Sequence, residues 1–192
     1  MKAKHRALSP NRALALGFLA IILAGALLLM LPIANRGGKG LSFLDSLFTA
    51  TSATCVTGLV VADTWTQFNL LGQIILLALI QVGGLGYMTM MLQAALLMGK
   101  KLGLRQRSVM MESVSAQRLS DVRTLLRYIL GGAALIEGAG ALLLAIRFIP
   151  ELGPARGLWY AVFHSVSAFC NAGFDLMGFR EPYSSLTHYV YD

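Results

Sequence analysis

The sequence is poor in charge: only 13% of its 192 residues are Asp, Glu, Lys or Arg, about half the share of an ordinary soluble domain. Together with 56% hydrophobic residues and a mean hydropathy of +0.67, that scarcity excludes a soluble fold and leaves a membrane protein. Cysteine is scarce as well. Cys55 and Cys170 are the only two, too few for a disulfide scaffold, and neither a zinc-ligand spacing nor a C-x-x-C redox pair exists. Acidic residues are outnumbered, nine against sixteen Lys and Arg, yet the excess does not point to nucleic acid. It gathers ahead of the first apolar run (Lys2, Lys4, Arg6, Arg12) and around the segment between the second and third, from Lys100 to Arg127. That side carries a net +9, the other side −1, and Glu137 lies within an apolar run. This positive-inside distribution predicts a cytoplasmic N-terminus and a cytoplasmic 99–124 loop.

Three apolar runs are long enough to cross a bilayer. Ala13 to Ile33 holds no charge, and its 21 residues cover about 30 Å at 1.5 Å per residue. The run is too long for a cleavable signal peptide. The second extends from about Asn69 to Met98, longer than one crossing requires, which predicts tilt or protrusion. The third, Leu125 to Ile149, carries Glu137 near its centre. Turn-rich linkers, Asn35 to Gly40 and Pro150 to Pro154, follow the first and third runs.

Behind each linker lies one copy of a duplicated segment. Phe48-Thr49-Ala50-Thr51-Ser52-Ala53-Thr54-Cys55-Val56-Thr57-Gly58 matches Phe163-His164-Ser165-Val166-Ser167-Ala168-Phe169-Cys170-Asn171-Ala172-Gly173 at a fixed offset of 115 residues. The two cysteines fall at equivalent places, which argues for small loop residues rather than a disulfide. Phe43 to Ala53 is too short to span but apolar at helical spacing, and both copies read as half-membrane helices. Backbone that leaves a helix at membrane depth is tolerated where it lines a water-filled cavity or packs in protein. The expected architecture is an all-α membrane protein of repeated M1–P–M2 units: a transmembrane helix, a re-entrant pore helix with its loop, and a second transmembrane helix. The units divide as a basic tail (1–12), a first repeat (13–98), a cytoplasmic loop (99–124) and a second repeat (125–192) truncated after its pore helix. By this logic a further M2 is expected beyond Asp192.

The chemistry expected of such loops is ion coordination. A dehydrated monovalent cation needs oxygens in place of its hydration shell, and backbone carbonyls supply them without fixed charge. Turning successive carbonyls one way needs unusual dihedrals, which glycine reaches without a Cβ penalty. The candidate ion-binding residues are therefore Thr54, Cys55, Val56, Thr57 and Gly58, and their counterparts Phe169, Cys170, Asn171, Ala172 and Gly173. Asp63 and Asp175 follow the loops and are candidates for concentrating cations at the outer mouth, with loop charges or helix caps as the equal alternative. Glu137 reads first as a hydrogen bond between helices and second as an ion ligand. His164 reads as a packing residue of the short helix. Gly83-Gly84-x-Gly86 resembles part of a nucleotide loop but sits in an apolar span, so close helix packing is expected. No catalytic residue is assigned: Ser52 and Ser167 lack a histidine placed to act as base, because His164 shares a short helix with Ser167.

The segment Thr54-Cys55-Val56-Thr57-Gly58-Leu59 resembles the first filter of the KtrB/TrkH superfamily of bacterial potassium-uptake proteins. Gln81-Val82-Gly83-Gly84-Leu85-Gly86-Tyr87-Met88-Thr89, Glu137-Gly138-Ala139-Gly140-Ala141 and Ser167-Ala168-Phe169-Cys170-Asn171-Ala172-Gly173-Phe174 resemble further motifs of that family, in the same order. The resemblance covers nearly the whole chain. It implies four M1–P–M2 repeats around one pore, of which this chain holds about one and a half, with Gly58 and Gly173 as two of four filter glycines. It further implies K+ as cargo held by backbone carbonyls alone, Na+ as a candidate coupling ion, and no covalently bound cofactor. A homodimer in the lipid bilayer of the bacterial inner membrane follows, docked on a cytosolic ring of nucleotide-binding regulatory subunits. The alternatives are a Na+-permeable relative and a non-conducting membrane fragment or scaffold. The 99–124 loop faces a cytosolic partner, solvent or lipid headgroups.

Overall fold

The computed structural model describes residues 10–86 and 119–190. The N-terminal tail to residue 9, the far end of the second apolar run, and residues 99–118 of the predicted cytoplasmic loop lie outside that range. Among the described residues helices are the regular elements, apart from an isolated bridge between Asn35 and Phe68. Helix α1 (Pro10–Met30) is followed by two 3-10 turns, Pro32–Ala34 and Arg36–Gly38. The helix stops short of the predicted Ile33 because Pro32 forces its predecessor out of the helical region; Leu31 has ψ 133°.

Helix α2 (Phe43–Thr54) begins at Ser42, whose hydroxyl oxygen accepts the Asp45 N–H at 3.1 Å and whose O–H donates to the Asp45 carboxylate at 2.7 Å. This is a serine N-cap, with the Asp45 carboxylate holding the capping hydroxyl. A single turn, α3 (Thr64–Gln67), precedes α4 (Leu70–Gly84), which Asn69 caps through the N–H groups of Leu71 and Gly72. Asn35 joins the ends of α1 and α4. Its amide donates to the Leu29 and Leu31 carbonyls at 2.8 Å each, its oxygen accepts from Gln67, and the Asn69 N–H reaches the Ala34 carbonyl.

Helix α5 (Leu119–Leu152) runs through Pro150, where the sequence predicted a break, and ends at Gly153 with φ 81°. Proline near a helix end forfeits only one hydrogen bond. Gly153, ahead of Pro154, takes the left-handed turn that starts α6 (Pro154–Phe169). The tight return brings the α6 backbone at Gly157 against Phe148 and Ile149, where a Cβ would lie 2.6 Å from the Phe148 carbonyl oxygen. Of the described helices, α5 contains a segment, Arg127–Leu152, long and apolar enough to cross a membrane, while Ala15–Met30 and Leu70–Gly84 are shorter apolar helices.

Helix α1 packs on α2, α5 on α6, and α4 touches α1, α2 and α6, so α4 is central. The core is small: Leu29, Ala50, Ala53, Leu76, Ile80, Phe148 and Phe163 are almost fully enclosed. The outward faces are as apolar as the interior. Leu135, Leu142, Leu143 and Ile146 on α5 are each about 70% exposed, the inverse of a water-soluble surface and suited to lipid or to further membrane segments.

Candidate functional site

Each short helix ends in the same turn. At the end of α2 the N–H groups of Cys55, Val56 and Thr57 donate to the carbonyls of Thr51, Ala53 and Ser52. At the end of α6 those of Cys170, Asn171 and Ala172 donate to Val166, Ala168 and Ser167. Every partner is displaced by the same 115 residues that separate the sequence copies. The 6→1 and 5→2 pattern is a Schellman motif, which requires a left-handed residue just past the helix. Val56 (φ 54°) and Asn171 (φ 58°) fill that place, and Gly58 (φ 75°) and Gly173 (φ 72°) are left-handed again two residues on. Asparagine tolerates this region, but a β-branched valine is strained there by about 1–2 kcal/mol. The sequence named Val56 and Asn171 among the loop residues but assigned unusual backbone only to the glycines; the equivalence of an asparagine with a valine was the available signal for the other two left-handed positions.

The loops meet glycine to glycine. A Cβ on Gly173 would stand 3.4 Å from the Gly58 Cα, and one on Gly58 would stand 2.8 Å from the Ala172 carbonyl oxygen. That oxygen thus lies beside Gly58, at the junction between the loops. Thr54 is buried at the foot of the first loop, and its Oγ1 has no partner among the described residues. An unsatisfied buried hydroxyl costs about 1–3 kcal/mol. Thr57 donates its hydroxyl to Ser52 Oγ at 2.9 Å, and Ser167 donates to the Phe174 carbonyl at 2.6 Å, bracing each loop on its own helix. Cys55 and Phe169 are exposed, Ala172 and Cys170 are buried, and both cysteines are free thiols.

The Gly83–Gly84 pair sits between the two loops. A Cβ on Gly83 would strike the Thr54 backbone, 2.8 Å from its carbonyl carbon, and one on Gly84 would strike the Cys170 side chain. Hydrogen at these positions lets α4 lie against the ends of both short helices. One turn earlier, Gln81 donates to the Glu137 carboxylate of α5 at 2.8 Å and turns its oxygen toward Cys170 Sγ at 3.8 Å. The Glu137 carbonyl accepts from Ser165 of α6 at 2.6 Å. Glu137 therefore lies in a contact joining α4, α5 and α6, the first of its two expected readings, and Gln81 is a partner whose role the sequence did not single out.

The remaining candidates hold the segments around α3 and after α6. Asp63 is buried, caps α3 through the Thr66 N–H at 2.8 Å, accepts the Tyr183 N–H at 3.0 Å, and fills the space beside Gly178. Asp175 is half-buried and accepts the Met177 N–H at 2.8 Å. Burial pushes its carboxyl above the usual carboxylate range, and the charge of Asp63 adds to that rise. His164 donates from Nδ1 to the Tyr160 carbonyl at 2.7 Å and accepts the Leu176 N–H on Nε2 at 3.2 Å. Only the neutral ring can do both. Its counterpart Thr49 makes the equivalent bond to Asp45 O, so the duplication persists at the level of side-chain bonds. Among the described residues no cluster of His, Cys, Asp and Glu could hold a metal ion.

A bundle of apolar helices in which two short helices present matched, glycine-tipped loops to one another has the build of a membrane transport protein. Residues 6–188 match the TrkH family of cation transport proteins, and the chain belongs to that family. It is 44% identical over 177 residues to the potassium/sodium uptake protein NtpJ of Enterococcus hirae, covering 92% of this chain and 39% of that protein. It is 45% identical over 168 residues to the Ktr system potassium uptake protein B of Bacillus subtilis, covering 88% and 37% respectively. The protein of that name from Vibrio alginolyticus is 44% identical over 165 residues, 86% of this chain and 36% of its own length. The chain thus spans under two fifths of these curated relatives. The family is one of transporters, not enzymes.

Proposed function

We propose that this chain supplies the first one and a half M1–P–M2 repeats of a membrane subunit that takes up K+ through a filter of backbone carbonyls. In this reading α1, α2 and α4 belong to the first repeat, α5 and α6 begin the second, and the 99–124 loop joins them on the cytoplasmic side. The observation that carries the proposal is the hydrogen-bond identity of the two turns combined with the contact between Gly58 and Gly173. Two copies of one loop converging on a junction, with the Ala172 carbonyl oxygen beside it, supply two walls of an oxygen cage. The unpartnered hydroxyl of Thr54 adds a ligand at its foot. Thr54 to Gly58 and Phe169 to Gly173 line the path, and the C-terminal ends of α2 and α6 contribute partial negative charge.

Uptake follows from this without a chemical step. A cation exchanges water for carbonyl oxygens of matched field, and an inside-negative potential drives it inward with about 2.3 kcal/mol per 100 mV. Asp175 is better placed than Asp63 to attract cations at the outer mouth, because both Asp63 oxygens already accept backbone N–H groups. The subunit works in the bacterial inner membrane with its N-terminus cytoplasmic, as a homodimer on a cytosolic nucleotide-binding ring. The relatives named for the Ktr system support a multi-component assembly. A Na+-permeable pore is the second reading, favoured by the potassium/sodium name of the Enterococcus hirae relative.

The test is ion flux through the whole subunit in liposomes. Gly58→Ser and Gly173→Ser should each lower K+ over Na+ discrimination; unchanged relative permeability in both variants refutes the filter assignment. A tag on the N-terminus should resist labelling from outside intact cells.

A further inference from the structure

Where α4 and α6 begin and α5 ends, a cavity of about 430 Å³ opens to the surface, lined by Arg36, Trp65, Leu70, Gln73, Arg156 and Trp159 among others. Its two guanidiniums gather around one ring: Arg36 lies 4.2 Å and Arg156 5.8 Å from the centroid of Trp65. Neither pairs with a carboxylate among the described residues. Arg36 spends one N–H on the Phe68 carbonyl at 3.1 Å, and Arg156 spends its bonds on a single acceptor, Tyr160 Oη, at 3.1 and 3.3 Å. A guanidinium has five donors, so most of this donor capacity is unused. Gln73, in contrast, is satisfied on both sides, accepting from Trp159 and donating to the Phe68 carbonyl. The polarity left over in the cavity is therefore cationic and donating. The first turn of α6, whose Gly153 N-cap has no capping side chain, adds partial positive charge of the same sign.

We propose that this cavity holds the phosphate of an anionic phospholipid. The assignment rests on the chain lying in a bilayer with this end at headgroup level. Two observations favour a lipid over a soluble anion. Both tryptophans of the chain, Trp65 and Trp159, line the cavity, and tryptophan concentrates where hydrocarbon meets headgroups. Below the cavity wall, Leu70, Ile74 and Ala78 are exposed on one face of α4 at a spacing of four residues. They form an apolar lane of about 12 Å, directed away from the guanidiniums into the membrane. A cationic cradle above an apolar lane matches a phosphate above an acyl chain, and Arg forks bind phosphate oxygens in pairs.

The experiment is native mass spectrometry of the whole purified subunit, supplied separately with phosphatidylglycerol, phosphatidylcholine and inorganic phosphate. The readout does not depend on ion flux. The wild-type protein should retain phosphatidylglycerol at least fivefold better than phosphatidylcholine. Arg36→Gln with Arg156→Gln should abolish that preference, and Arg36→Lys with Arg156→Lys should keep part of it. If the double Gln variant does not fold, Arg156→Gln alone, which forfeits only bonds to the Tyr160 hydroxyl and ring contacts, should lose at least threefold. Equal retention of phosphatidylglycerol by wild type and the Gln variants overturns the proposal. So does displacement of the lipid by millimolar inorganic phosphate, which would assign the cradle to a free anion.

Discussion

Gly83→Ala compared with Gly25→Ala separates a glycine that holds the loop from one that fills space. Both lie inside helices, where alanine by itself gains roughly 0.5–1 kcal/mol over glycine. At position 25 the new methyl would meet the Leu79 methyls at 2.8 Å. These are the far ends of a flexible side chain, and rotating it costs about 0.5–1.5 kcal/mol, so the two effects nearly cancel. At position 83 the methyl would meet the Thr54 carbonyl group, with the carbon at 2.8 Å where ordinary contact begins at 3.4 Å. Backbone cannot rotate away. The carbonyl oxygen lies nearer still, so the end of α2 must recede by more than about 0.6 Å, past the roughly 0.5 Å within which a binding constellation has to be held. Overpacking of this kind costs about 1–3 kcal/mol, and with a rigid backbone as the obstacle the upper part of that range applies, which leaves a net loss of up to about 2.5 kcal/mol after the helix gain. Because Thr54 leads directly into Cys55 to Gly58, the shift is passed to the loop. In the whole subunit Gly83→Ala should lower the thermal midpoint in detergent and reduce K+ over Na+ discrimination in rubidium uptake competed by Na+. Gly25→Ala should do neither. A neutral Gly83→Ala, or a Gly25→Ala that costs more, would refute the reasoning.

Val56→Asn, which copies Asn171, should relieve left-handed strain and raise the thermal midpoint by an amount equivalent to about 1 kcal/mol; a lower midpoint would show that packing of the valine outweighs its backbone. Glu137→Leu should destabilise by about 0.6–1.7 kcal/mol, the range for hydrogen bonds between membrane helices, whereas Glu137→Gln should retain the bond to Gln81. Equal melting of the two variants would remove Glu137 from that joint. For Asp175 the folded state holds its proton more tightly than the unfolded chain, so stability falls as pH rises from the ordinary carboxylate pKa through the raised one. Asp175→Asn keeps an acceptor for Met177 and should flatten that decline in melting profiles across the mildly acidic range. A profile identical to wild type would count against the burial of the charge.

Composition and order were enough to place this chain in the membrane, to find the apolar runs, and to align the two loops, because the bilayer demands long uncharged helices and a duplication leaves its spacing in the sequence. The glycines Gly58 and Gly173 were legible for the same reason: an unusual backbone recruits the residue without a Cβ. What needed the tertiary structure was every relation set by proximity across the chain. Val56 carries no local mark of a left-handed turn; the Schellman bonds to Ser52 and Ala53 impose it. Asp63 read equally as a mouth charge or a cap until Thr66, Tyr183 and Gly178 closed around it. Arg36 and Arg156, 120 residues apart in sequence, share one tryptophan only because α4 and α6 begin where α5 ends. Periodicity and charge are written along one dimension, but which carboxylate is spent, which cation is spare and which glycine is wedged depend on neighbours that folding alone supplies.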